Sequence, residues 1–185
     1  MVSSKPSSPK TKLKEKEKMK KKNSAALYLT RGAIIAALYV VLTYVSALLG
    51  LSSGVIQLRI SEALCILPVF FTEAVPGLYA GCIIANLLTG ANPWDILFGS
   101  LATLIGALGS RLLRKLPKKL AWLSTLPTVI ANALIVPPIL IFAYGAPDAY
   151  WFILLTVSAG EILSAGVLGY ILYLGLKKSG IEKML

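Results

Sequence analysis

Glu161 interrupts the apolar run over residues 149–176, and Asn132 interrupts the run over 121–144. At about 1.5 Å per helical residue each lies about 18 Å from the end of its run at the loop 145–148, so the two share a depth and can meet. An ionisable side chain in hydrocarbon costs several kcal/mol, and it is usually paired or lines a cavity. Pro137 and Pro138 follow one turn after Asn132. They carry no N–H, so the carbonyls of Ala133 and Leu134 lose their helical partners, which is tolerated where backbone lines a cavity. A carboxylate, an amide and free carbonyls suit a ligand with several N–H donors on a planar edge, such as a guanine-like base, or an amine. The alternative is a Glu–Asn hydrogen bond that fastens two helices and binds nothing.

Arg59 and Glu62 stand three residues apart in LRISEAL, on one face of a helix near its outer end. They are expected either to pair with each other or to gate the mouth and orient a ligand. Asn86, near the outer end of the next run, joins that cavity or bonds a neighbouring backbone. Asp95 and Glu73 each begin a helix after a turn, where a carboxylate complements the N-terminus. Glu73 falls on the inner side and is left out of the site. The chain has no His, which removes metalloprotease HExxH chemistry, Ser-His-Asp triads and His proton relays. Cys65 and Cys82 lie in apolar runs and read as small hydrophobes.

The elements that must position these groups are membrane helices. The chain has 185 residues, 56% of them hydrophobic and 15% charged, with mean hydropathy +0.75, more apolar surface than one small soluble core hides. Residues 1–23 hold nine Lys and two Glu and read as a disordered basic tail on the cytoplasmic side, with a helix as the alternative for its part next to the membrane. A lysine run beside a membrane segment points to anionic headgroups and topology more than to nucleic acid, so the bilayer is the expected partner and nucleic acid is not.

Apolar segments fall at 25–50, 57–71, 75–89, 92–115, 121–144 and 149–176, the second and third of them short for a span. Asn92-Pro93-Trp94-Asp95 reads as a helix start, with Asn at the cap and Pro at the first helical position. The predicted fold is therefore an all-α six-transmembrane-helix bundle over 24–178, followed by a short C-terminus at 179–185. Lys and Arg collect in the tail, in 111–120 and after 176, whereas the loops 50–57, 89–93 and 145–149 have none. This places both ends in the cytoplasm of a plasma-membrane protein. Trp94, Tyr150 and Trp151 then sit at the outer interface.

Small residues recur at helical spacing: Gly32 with Ala36, Ala33 with Ala37, Gly77 with Gly81, Ala102 with Gly106, and Ala165 with Gly169. Most are expected to bring helices of this chain together. On the first helix two such pairs occupy adjacent faces and offer a flat surface to another membrane protein.

LRISEALCILPVFF, EAVPGLYAGCIIANLL, GANPWDILFGSLATLIGAL, the IANALIVP stretch and GEILSAGVLGYIL together resemble the QueT family, assigned to queuosine-precursor transport. The resemblance runs from about residue 24 to 178. It implies the substrate-binding (S) component of an energy-coupling factor (ECF) transporter, with six helices, cytoplasmic termini and an outward-facing pocket. The implied partners are a transmembrane coupling subunit, docked through Ala33 and Ala37, and two ABC-type ATPases that bind the ATP. The chain itself then carries no cofactor, in keeping with its lack of a GxxxxGK[ST] loop.

The implied cargo is a 7-deazaguanine. Glu161 would accept from its Watson–Crick edge, Glu62 or Asp95 would attract a cationic aminomethyl group, and Trp94 or Trp151 would stack on the ring. The expected binding set is thus Glu161, Asn132, Arg59, Glu62, Asn86, Trp94, Asp95 and Trp151. Three other functions stay open: a self-sufficient proton- or ion-coupled transporter, a structural membrane subunit, and, with no activated nucleophile visible, an intramembrane enzyme.

Overall fold

The computed structural model describes residues 9–51 and 58–180, with side chains from Ser24 onward. Among the described residues every regular element is helical. In chain order these are α1 (Pro9–Leu48), α2 (Ile60–Val69), α3 (Ala74–Leu88), α4 (Asp95–Lys115), α5 (Lys118–Phe142) and α6 (Tyr150–Lys178). Four segments are long and apolar enough to cross a bilayer, namely Ser24–Leu48 of α1 and the whole of α4, α5 and α6. With 10 and 15 residues, α2 and α3 are the short elements that the sequence predicts.

The length of α2 has a physical counterpart in its winding. It is a 3-10 helix whose residues from Ser61 to Pro68 are all buried, packed against α1, α4 and α6. At about 2.0 Å per residue a 3-10 helix of this length extends about 20 Å, against about 15 Å for an α-helix. A segment sheathed by other helices has no lipid-facing stripe to satisfy, so an almost continuous apolar run broken only by Ser61 and Glu62 suits it.

Close approach of α1 and α3 is set by small residues. A Cβ built on Gly77 would lie 2.6 Å from the Gly32 carbonyl oxygen, and one on Gly81 would lie 2.9 Å from that of Ala36. The expected role of these pairs in joining helices of this chain therefore holds for Gly32, Ala36, Gly77 and Gly81. Gly106 of α4 likewise meets Thr128 of α5, with 2.6 Å from a built Cβ to the hydroxyl oxygen. Ala33 and Ala37 point the other way and are exposed.

Two helices change winding beside candidate site residues. α4 opens with a π-helical turn, Asp95–Gly99, and α6 contains another, Ile162–Leu168, immediately after Glu161. Such turns release backbone groups from regular pairing and occur often at functional sites. Pro137 and Pro138 sit inside α5 without ending it.

The helix ends fall into two groups. At one end Arg59, just before α2, reaches Asn86 and Asp95, and Asn92 bonds the backbone of Ala143. At the other, Arg31 meets Glu73, Arg111 bonds the Pro68 carbonyl and Thr72, and Ser110 bonds the Ser124 carbonyl. The helical part of the tail, expected next to the membrane, extends back to Pro9 in α1. Lys and Glu are good helix formers, and the membrane segment supplies a ready nucleus for them to extend. Residues 1–8 and 181–185 lie outside the described residues.

Candidate substrate-binding site

Six of the eight residues expected to bind converge in one buried cluster between the helices. Glu62 is its centre. Tyr39 of α1 donates its hydroxyl to Oε1, while Oε2 accepts from the Cys65 thiol at 3.3 Å and from Asn132 Nδ2 of α5 at 3.4 Å. Asn132 also stands against Glu161 of α6, as their shared depth predicts. Glu62, Asn132 and Glu161 are 2%, 4% and 6% exposed.

A second half of the cluster is organised by Arg59. Its guanidinium donates to Asp95 Oδ2 at 3.3 Å and to Asn86 Oδ1 at 3.5 Å. Asn86 in turn donates to the Asp95 carbonyl at 3.3 Å, taking up a backbone group at the mouth of the π-turn. Tyr144, beyond the end of α5, accepts from the Asn92 amide at 2.9 Å and donates to Asp95 Oδ2 at 3.2 Å. Partial burial raises the Tyr144 phenol above its ordinary range, which keeps the donated proton in place. Between the halves lies Cys82, whose sulfur accepts from Asn86 at 3.7 Å and Thr103 at 3.4 Å.

Three expectations are corrected here. Arg59 pairs with Asp95 and not with Glu62, because it precedes α2 in an extended conformation (φ −98°, ψ 103°). Residues i and i+3 share a face only when both are helical. Asp95 does not cap α4. Asn92 does, its Oδ1 accepting from the Trp94 amide at 3.0 Å, and Asp95 turns inward over Gly99, where a Cβ would meet its Oδ1 at 2.6 Å. Glu73 caps nothing with its side chain; it pairs with Arg31 at 3.4 Å, away from the cluster.

Trp94 and Trp151 are not brought to the cluster. They are 59% and 71% exposed. Trp94 stacks on Phe98 and lines an apolar groove of about 440 Å³ with Pro138 and Phe142. That groove and two others, of about 330 and 510 Å³, include no residue of the polar cluster. Lipid-facing furrows are wide because nothing of this chain fills them, so size does not mark the chemistry here.

Tyr39, Thr103 and Tyr144 belong to the cluster although they are not among the residues expected from the sequence, and Cys65 and Cys82, which read as small hydrophobes, join it through their sulfur atoms. The signal for Tyr39 is the buried face Ile35, Tyr39, Thr43, Ser46, a helical stripe that turns polar towards its end.

What the cluster offers chemically is unspent hydrogen-bonding capacity. Buried polar atoms are nearly always partnered, yet Glu161 Oε2 and Arg59 Nε have no hydrogen bond. The bonds that Arg59 does make, at 3.3 and 3.5 Å, are longer than close charge-assisted bonds of about 2.7 to 2.9 Å. Two polar atoms are therefore held ready for the groups of a ligand, beside the buried Glu62, Asn86, Asp95 and Asn132.

The family profile described as QueT transporter matches residues 29–178. A curated relative, the queuosine precursor transporter QueT of Lactococcus lactis subsp. cremoris (strain MG1363), is 40% identical over 74 residues, covering 40% of this chain and 43% of that protein. The matched stretch thus spans less than half of the relative's length. No solved structure matches the chain. By the extent of the profile match, and with four segments built to cross a bilayer, the chain belongs to the QueT transporter family as a multi-pass protein of the plasma membrane.

Proposed function

We propose that this protein is the substrate-binding component of an ECF-type importer, and that it captures a 7-deazaguanine queuosine precursor in the Glu62–Glu161–Arg59 cluster. The observation that carries this reading is the pair of buried, unpartnered atoms, Glu161 Oε2 and Arg59 Nε. A deazaguanine presents N–H groups for a carboxylate and a carbonyl for a guanidinium, the complement of those two atoms. The relative's name agrees with that ligand class. Entry requires the weakest contacts to part, Asn132–Glu62 at 3.4 Å and Arg59–Asn86 at 3.5 Å.

In the proposed orientation all six helical segments traverse the membrane with both termini in the cytoplasm. Arg31, Arg111, Arg114, Lys115, Lys118, Lys119, Lys177 and Lys178 then gather on the cytoplasmic side, and the Arg59 end of the cluster faces outward. ATP is hydrolysed by two partner ATPases, linked through a membrane coupling subunit that docks on the exposed Ala33–Ala37 face of α1. Small side chains there let a second helix approach closely.

Calorimetry of the purified chain in detergent with 7-deazaguanine precursors tests the binding reading, and absence of binding overturns it. Uptake by liposomes holding this chain alone, without ATP, would instead establish a self-sufficient transporter. Replacing Ala33→Leu together with Ala37→Leu is expected to abolish uptake in cells and co-purification of the coupling subunit while leaving ligand affinity unchanged. Survival of the complex in that variant means docking occurs elsewhere.

A further inference from the structure

The proposed binding site has an imbalance of charge that bears on which ligand it takes. From α1 it receives Tyr39, from the approach to α2 Arg59, from α2 Glu62 and Cys65, from α3 Cys82 and Asn86, from α4 Asp95, from α5 Asn132 and from α6 Glu161. That is three carboxyl groups and one cation. The cation is matched to Asp95 in an ion pair of 3.3 Å, so Glu62 and Glu161 have no counter-charge of their own.

Their surroundings divide the burden unequally. Glu62 accepts from three donors, Tyr39, Cys65 and Asn132. Glu161 stands against the Asn132 amide, and its Oε2 has no donor among the described residues. An ionised carboxylate left unpaired in a protein interior costs several kcal/mol, and two carboxyl groups that share a site do not both ionise readily.

We infer that Glu161 holds a proton in the empty site and exchanges it for a positively charged group of the ligand. This rests on the proposed substrate-binding role and deepens it. On binding, the ligand's ammonium N–H⁺ takes the place of the acid proton at Oε2. The Glu161 O–H bond breaks, its proton leaves to the outer solution, and the carboxylate keeps the electron pair and accepts the ligand's N–H. Charge within the protein is thus conserved, one proton for one cation. A neutral ligand of the same shape displaces nothing and forgoes the ion pair.

The test compares 7-aminomethyl-7-deazaguanine, a cation, with its neutral 7-cyano counterpart by calorimetry of the full chain. Each is titrated in two buffers of different ionisation enthalpy at one pH, which counts the protons released. The expected result is about one proton released per amine bound and none for the nitrile. Amine affinity rises about tenfold per pH unit where the proton competes, and nitrile affinity is flat. Glu161→Gln is expected to release no proton and to bind the amine at least tenfold more weakly, with no pH slope. The wild-type proton count decides the question even if that variant fails to fold. Amine binding without proton release overturns the exchange while the substrate reading stands. Proton release that persists in Glu161→Gln overturns the assignment to Glu161. Binding of neither compound overturns the substrate and the exchange together.

Discussion

Arg59→Ala is expected to destabilise the purified protein by about 3–5 kcal/mol, the range for removing one partner of a buried ion pair, and to eliminate ligand binding. The cause is local. Asp95 is 4% exposed and loses its one cationic partner among the described residues, and the Asn86 Oδ1 acceptor loses its donor in the same change. Tyr144 continues to donate to Asp95 through its side chain.

A second variant separates folding from binding. Arg59→Met combined with Asp95→Leu replaces both charges with apolar groups, which is often neutral for stability when a pair is buried. It is expected to recover most of the lost stability in thermal unfolding, and to bind no ligand, because Nε and the guanidinium plane are gone. Wild-type stability in Arg59→Ala would mean that the Arg59–Asp95 pair is reached by water. Ligand binding by the double variant would remove Arg59 from the site.

Residue type and depth mark most of this site in the sequence alone. Glu161 and Asn132 were placed at one level by counting along two runs of opposite direction, and they do lie side by side. Glu62, Asn86 and Asp95 stood out because ionisable and amide groups are costly in apolar runs. Their partners did not follow from spacing. Arg59 turns away from Glu62 because one residue at the helix boundary is extended, and a periodicity argument assumes a helix where there is none. Asp95 turns inward because the start of α4 winds as a π-turn over Gly99, which no local propensity reveals.

Aromatic residues misled for a different reason. Trp and Tyr at a helix end suit a flat ligand and an interfacial belt equally well, and only packing separates the two. Trp94 and Trp151 face outward, whereas Tyr39, in the middle of the first apolar run, faces Glu62. The small-residue pairs show the same division. Gly32 and Ala36 are used within the chain and Ala33 and Ala37 are not, a choice made by the rotation of α1 about its axis.

That rotation and the α1–α3 distance are fixed by glycines, so Gly77→Ala is expected to act on the site from a distance. Its Cβ would lie 2.6 Å from the Gly32 oxygen and 3.3 Å from two further Gly32 backbone atoms. No side chain can rotate to make room, and the helices must part. Overpacking of this kind costs about 1–3 kcal/mol. Tyr39 stands seven residues beyond Gly32 on α1, about 10 Å along the helix, and its hydroxyl reaches Glu62. Moving α1 outward withdraws that hydroxyl, so ligand affinity should fall about tenfold, the worth of a hydrogen bond to a charged group. Tyr39→Phe, which deletes the hydroxyl and leaves the backbone in place, should reproduce the affinity loss with a smaller loss in thermal stability. Wild-type affinity in Gly77→Ala despite a lowered unfolding temperature would show that the glycines serve assembly alone, and that Tyr39 does not position Glu62 for its ligand.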